Sequence, residues 1–179
     1  YKTNIPINHK KLLINLKNQK SVFSHSSVLF KKRLVINLGG YREIMKKSQD
    51  YDLWLRISEV SKIGAIEYTG VLIRDHDSRI SNNSNGLDQR IYAHYANISH
   101  IVRTCYPEFT DPLDSNNFKI NRFKKFVKEY LIKTDTINFY KKLYLFNRKT
   151  YKDIFLLRIV KIPLYFNSFK LIKKLLIWK

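Results

Sequence analysis

Residues 38–56 read LGGYREIMKKSQDYDLWLR, and this stretch organises the first half of the chain. Gly39-Gly40 asks for a turn, because consecutive glycines mark backbone that needs positive φ or a close approach that a Cβ would block. Ser48 is a candidate N-cap, and Asp50 and Asp52 fall in the first turn, where carboxylates suit the positive end of a helix. Leu53, Trp54, Ile57 and Val60 then recur at helical spacing and make one apolar face. Asp52 and Arg56 stand four residues apart and can pair at the surface. Gly64 closes the element. The pattern predicts a helix over residues 48–61.

Outward from this core the chain alternates between short elements. Ile7–Leu16 reads as a helix with Leu12, Leu13 and Leu16 on one face. Val22–Phe30, within SVFSHSSVLF, is β-prone and alternating, so His25 reads first as a hydrogen-bonded strand histidine, with a substrate contact as the other reading. Lys31–Asn37 suits one or two helical turns that the glycines end. Ala65–Tyr68 and Val71–Arg74 read as short strands flanking Thr69-Gly70. Ser81–Gly86 is a polar loop, and Leu87–Cys105 is a second long helix, with His94 and His100 packed among its aromatic residues. Tyr106–Asn117, with two prolines and several Asp and Asn residues, reads as a linker. Phe118–Lys179 is helix-prone, basic and aromatic.

Charge separates these regions. The chain carries 34 Lys and Arg against 14 Asp and Glu, a net of +20 over 179 residues. Residues 119–179 hold 17 basic and 3 acidic residues, whereas residues 1–118 are only mildly basic. A field of that sign favours anionic partners such as nucleic acid, an acidic membrane face or phosphorylated substrates. The 44% hydrophobic and 14% aromatic content is too high for a disordered chain. Cys105 is the single cysteine, which excludes an intrachain disulfide and a thiolate zinc cluster. No apolar run approaches the ~20 residues that span a bilayer. Ile154–Phe166 comes nearest and is interrupted by Arg158, Lys161 and Pro163. Beginning at Tyr1 without a Met, the chain reads as a fragment or a truncated reading frame.

Three segments, in this order, resemble the C-terminal half of the catalytic domain of family-2 glycosyltransferases. They are His25-Ser26-Ser27-Val28-Leu29-Phe30-Lys31-Lys32, then Leu38-Gly39-Gly40-Tyr41-Arg42-Glu43, then Gln49-Asp50-Tyr51-Asp52-Leu53-Trp54-Leu55-Arg56. Arg74-Asp75-His76 with Ile80-Ser81 is a weaker fourth match. The resemblance covers roughly residues 1–85, and residues 39–56 are its most specific part. It implies an inverting sugar transfer of hexosyltransferase type, in which Asp50 is the base that takes the acceptor hydroxyl's proton. A helix N-terminus keeps such a carboxylate ionised and oriented.

The resemblance further implies that Gly39, Gly40, Tyr41, Gln49 and Trp54 line the substrate site. Arg74 and His76 would then lie near the donor diphosphate, where cationic groups offset leaving-group charge. Asp75 and Asp77 flank His76, so a surface turn stands as the other reading of that segment. Gln49 replaces the glutamate that usually precedes the catalytic aspartate. The family's nucleotide-binding half, with the acidic motif that holds Mg or Mn, has no counterpart here. No metal ligand is assigned in this chain, the divalent cation belonging to the complete enzyme, and the fragment alone is expected to be inactive.

The fold class that follows is α/β: a partial GT-A-like mixed sheet with flanking helices, then a basic, mainly α-helical extension. Residues 1–105 form the acceptor-side part of the catalytic domain, 106–117 the linker and 118–179 the extension. Within the extension, Phe123, Phe126, Val127, Tyr130 and Leu131 make an apolar face bordered by Lys124, Lys125 and Lys128. Farther on, Phe169, Leu171, Ile172, Leu175, Leu176, Ile177 and Trp178 mix with four lysines. Basic amphipathic helices of this kind lie flat on anionic membranes.

The implied partners are therefore a nucleotide-sugar donor, a glycan acceptor and an anionic membrane surface. The implied location is the cytoplasmic, inner face of the cell membrane, in bacterial surface polysaccharide or lipopolysaccharide synthesis. The alternatives are a non-catalytic remnant that binds membrane or a partner, and a basic nucleic-acid-binding module. The latter is disfavoured because no recognisable RNA- or DNA-binding motif is present and the charge lies in the tail.

Overall fold

The computed structural model describes residues 7–19, 23–72, 74, 85–114 and 117–133. The chain divides into two compact units, Tyr1–His76 and Asp77–Lys179.

In the first unit, α1 (His9–Lys17) starts at Asn8, whose side chain accepts a hydrogen bond from the Lys10 N–H at 2.8 Å. Its apolar face buries Leu12 and Leu16. Then α2 (Lys32–Asn37) is short, and α3 (Gln49–Val60) packs against both α1 and α2. Leu53, Trp54, Leu55 and Ile57 of α3 and Met45 of the preceding loop complete the core. Two polar contacts lock α1 to α3 and its C-terminal extension. The Tyr51 hydroxyl donates to the Leu16 carbonyl at 2.9 Å, and the Ile63 N–H donates to His9 Nδ1 at 3.0 Å.

The glycine turn behaves as its sequence requires. Gly39 and Gly40 have φ of 77° and 66°. The Gly40 N–H bonds the Val35 carbonyl and the Gly39 N–H bonds the Ile36 carbonyl, both at 2.9 Å. That pair of bonds is a Schellman motif, which satisfies the last carbonyls of α2. Ser48 occupies the N-cap position of α3 but in the left-handed region, at φ 52°, and its side chain makes no capping bond. Its carbonyl instead accepts the Asp52 N–H at 3.1 Å.

The expected α/β class, with its partial GT-A-like mixed sheet, is not seen. Among the described residues the regular elements are helices alone, with no strand. The predicted strand at Val22–Phe30 contains a single 3-10 turn, His25–Ser27, followed by unpaired extended backbone. Residues 65–72, predicted as two strands, are irregular, and the Tyr68 N–H bonds the Ile66 carbonyl at 2.9 Å in a tight local turn. The physical reason is that β-prone composition supplies only a preference; a strand exists through the ladder it forms with a neighbour. Here the side chains that would face a second layer meet solvent, Leu29 being 98% and Leu72 91% exposed.

The second unit pairs α4 (Asn85–Cys105) with α5 (Asn117–Lys133). Ile91, Tyr95, Ile98 and Val102 of α4 and Ile120, Phe123, Val127 and Leu131 of α5 are buried. The Tyr95 and Phe123 rings meet at 5.9 Å between centroids. Residues 106–114 form turns that Asp111 ties back to α4. Its carboxylate accepts from the Ser99 hydroxyl and from Arg103 Nη1, both at 2.5 Å, and from the Leu113 N–H at 2.9 Å. His94 and His100 are buried in this unit. The predicted membrane helix around Phe169–Trp178 lies outside the described residues, as does the rest of 134–179.

Candidate active site

Asp50 sits in the first turn of α3, half-buried, with 37% of its side chain exposed. Its Oδ1 accepts the Tyr51 N–H at 2.9 Å, so the local backbone fixes one carboxylate oxygen. The positive end of α3 stabilises the charge from behind. The other oxygen, Oδ2, faces His25 Nδ1 at 3.9 Å, an electrostatic contact longer than a hydrogen bond.

His25 reaches this position because the HSS segment turns instead of extending. The Ser27 N–H and hydroxyl both donate to the Ser24 carbonyl, at 2.9 and 2.8 Å, and this tight turn projects the imidazole. Tyr41, just past the glycine turn, completes the group: its hydroxyl lies 3.2 Å from His25 Nε2 and its ring stacks on the imidazole at 5.8 Å. Burial and then the Asp50 charge push the Tyr41 phenol above its ordinary value of 10.0. Its hydroxyl therefore keeps its proton and can donate. Trp54, one turn along α3 from Asp50, lies edge-on to His25 and tilted against Phe30, each at 6.0 Å, and forms the wall behind the histidine.

The glycine turn is held against α3 by Arg56. Its Nε donates to Asp52 Oδ2 at 2.9 Å, and its Nη1 and Nη2 donate to the Leu38 and Gly40 carbonyls at 2.7 and 2.6 Å. Arg42 Nη1 approaches the other Asp52 oxygen at 3.5 Å. The Asp52–Arg56 pair expected at the surface is instead buried. Asp52 thus serves as the structural carboxylate and Asp50, two residues earlier, as the accessible one.

The structure brings Asp50, Tyr41 and Trp54 together through His25. Gly39 and Gly40 position Tyr41, and nothing within 4 Å crowds the space where either glycine would carry a Cβ. Gln49 is exposed beside Asp50 at the start of α3, and Arg74 is exposed. His76 lies outside the described residues. His25, which opens the first of the three resembling segments, lies in a 3-10 turn and not in the strand expected for it, and its contacts are with Tyr41, Asp50 and Trp54.

Among the described residues no group of three or more His, Cys, Asp or Glu side chains could hold a metal ion. His25 and Asp50 supply two donors. The described residues alone therefore do not make a divalent-cation site.

No family model, curated protein or solved structure matches this chain. Among the described residues, no helix is long and apolar enough to cross a membrane.

Proposed function

We propose that the chain carries the acceptor side and general base of an inverting family-2 glycosyltransferase, moving a sugar from a nucleotide-sugar donor to a glycan or lipid-linked glycan in bacterial surface polysaccharide synthesis. One observation carries this reading. His25, Tyr41 and Asp50 come from the three separate segments of the resemblance, and they meet at one accessible carboxylate. In the reaction, the acceptor oxygen attacks the anomeric carbon as Asp50 takes its proton, and the nucleoside diphosphate departs with the bonding pair. Arg74 and His76 are assigned to the departing charge.

The test is Asp50→Asn in the product of the complete reading frame, assayed for transfer from a panel of nucleotide sugars in native membranes. The amide keeps the shape and removes the base. Turnover falls by roughly a hundredfold or more, with donor binding intact. Near wild-type turnover would reduce Asp50 to a helix-end carboxylate and sink the assignment.

The same reading puts the protein on the inner face of the cell membrane, and α5 supports it in a specific way. Ile120, Phe123, Val127 and Leu131 of α5 are already buried in the second unit, while Arg122, Lys125 and Lys128 are exposed. In this reading α5 offers anionic lipid a charged stripe, and apolar insertion falls to the Phe169–Trp178 segment. The charged stripe also fits the second reading, a non-catalytic membrane-binding remnant, which the Asp50→Asn assay separates from the first.

A further inference from the structure

The geometry points to His25 as a positioning residue for Asp50, locked by the Tyr41 hydroxyl in the tautomer whose Nδ1–H faces the carboxylate. Its catalytic consequence rests on the glycosyltransferase reading above; the locked tautomer does not.

The two nitrogens of a neutral imidazole are one donor and one acceptor, and what one is bonded to decides the other. His25 Nε2 lies 3.2 Å from the Tyr41 hydroxyl, and His25 Nδ1 lies 3.9 Å from Asp50 Oδ2. If Nε2 carried the hydrogen, the Nδ1 lone pair would face a carboxylate oxygen and repel it. If the Tyr41 hydroxyl donates to Nε2, the hydrogen sits on Nδ1 and faces Oδ2. The second arrangement gives the Tyr41 hydroxyl its acceptor and turns the Nδ1–H dipole toward the carboxylate charge. Among the described residues, Tyr41 and Asp50 are the titratable groups in contact with His25, and the stacked Tyr41 ring and the Trp54 edge restrict the imidazole's rotation.

Asp50 Oδ1 is already fixed by the Tyr51 N–H. With Nδ1–H facing Oδ2, the carboxylate is drawn toward one plane, and at 37% exposure it stays open to an acceptor hydroxyl. Contacts of this kind are often long without substrate and tighten in the reactive complex, which accommodates the 3.9 Å separation.

The experiment reads the tautomer directly. In the ¹⁵N-labelled full chain, at mildly alkaline pH where imidazole is neutral, a long-range ¹H–¹⁵N spectrum distinguishes protonated from acceptor ring nitrogens. His25→Gln identifies the signals by their loss. The expected result is a protonated Nδ1 and an acceptor Nε2 in the wild type. Tyr41→Phe and Asp50→Asn should each move the population toward Nε2–H, with backbone amide spectra unchanged away from the site. A wild-type Nε2–H tautomer, or a tautomer indifferent to both substitutions, overturns the proposal.

In the complete enzyme, His25→Asn places an amide N–H near the Nδ1 position, and His25→Gln places one near Nε2. The asparagine variant should retain more of kcat than the glutamine variant, with the KM for acceptor similar in both. Equal kcat in the two variants overturns the catalytic consequence. A fully active Asp50→Asn alongside the expected tautomer would instead overturn the glycosyltransferase reading and leave the lock standing.

Discussion

Arg56 and Gly40 are joined by a 2.6 Å hydrogen bond from guanidinium to carbonyl, and through it a buried ion pair on α3 determines where the glycine turn sits. Asp52 and Arg56 have side chains 0% and 4% exposed, so neither charge is solvated if the other is removed. The planar fork of arginine serves three acceptors at once, a pattern that lysine cannot reproduce.

Arg56→Ala should therefore destabilise the first unit by about 3 kcal/mol, the low end of the cost of breaking a buried ion pair, because Asp52 keeps Arg42 at 3.5 Å. Arg56→Lys should recover only part of that loss. Urea denaturation followed by Trp54 fluorescence measures both. A cost below about 1 kcal/mol for Arg56→Ala would place the pair in solvent, the usual range for an exposed ion pair.

Gly39→Ala and Gly40→Ala test the turn from the backbone side. Space is open around both, so the cost comes from positive φ alone and should be about 1–2 kcal/mol each. The same denaturation experiment reads it. Because Tyr41 follows directly, either substitution should also loosen the Tyr41–His25 stacking.

His94 gives the second unit a pH dependence of definite sign. Burial, with the Arg90 charge adding to it, lowers its pKa to about 4 from 6.5. The folded state thus holds His94 neutral where the unfolded chain would protonate it. Stability from this group is complete above pH 6.5 and is lost as pH falls from there toward 4. The span is worth on the order of 3 kcal/mol. Urea midpoints for α4–α5 unfolding should drop across that window, and His94→Gln should flatten the drop.

Lys125→Ala and Lys128→Ala test the charged stripe on α5. Each juxtamembrane lysine contributes about fivefold to binding on anionic lipid. Co-sedimentation with phosphatidylserine-containing vesicles should weaken by about that factor per substitution, and neutral vesicles should show no change. Insensitivity to both substitutions would remove α5 from any membrane contact.

Much of the local structure was legible in residue order. The Leu53–Trp54–Ile57 spacing defines α3, the Leu12–Leu16 spacing defines α1, and two adjacent glycines call for a left-handed turn. These readings succeed because each depends on contacts within a few residues. Over the described residues 23–30 and 65–72 the strand readings fail because pairing is a property of two segments, and the composition of one cannot supply the other. The surroundings of His25 were illegible for the same reason: it meets Tyr41 and Asp50, 16 and 25 residues away.

The amino-acid sequence by itself determined the helices, the glycine turn and the placement of Asp50 in the first turn of α3. It also determined the excess positive charge toward the C-terminus. All of these follow from periodicity, capping and composition, which act along the chain. Tertiary structure alone decided that Asp52 is buried with Arg56 while Asp50 stays accessible, and that Tyr41 and His25 gather at Asp50. Burial and long-range hydrogen bonding are set by what packs against a residue, and two carboxylates two positions apart on one helix acquire opposite roles from that difference.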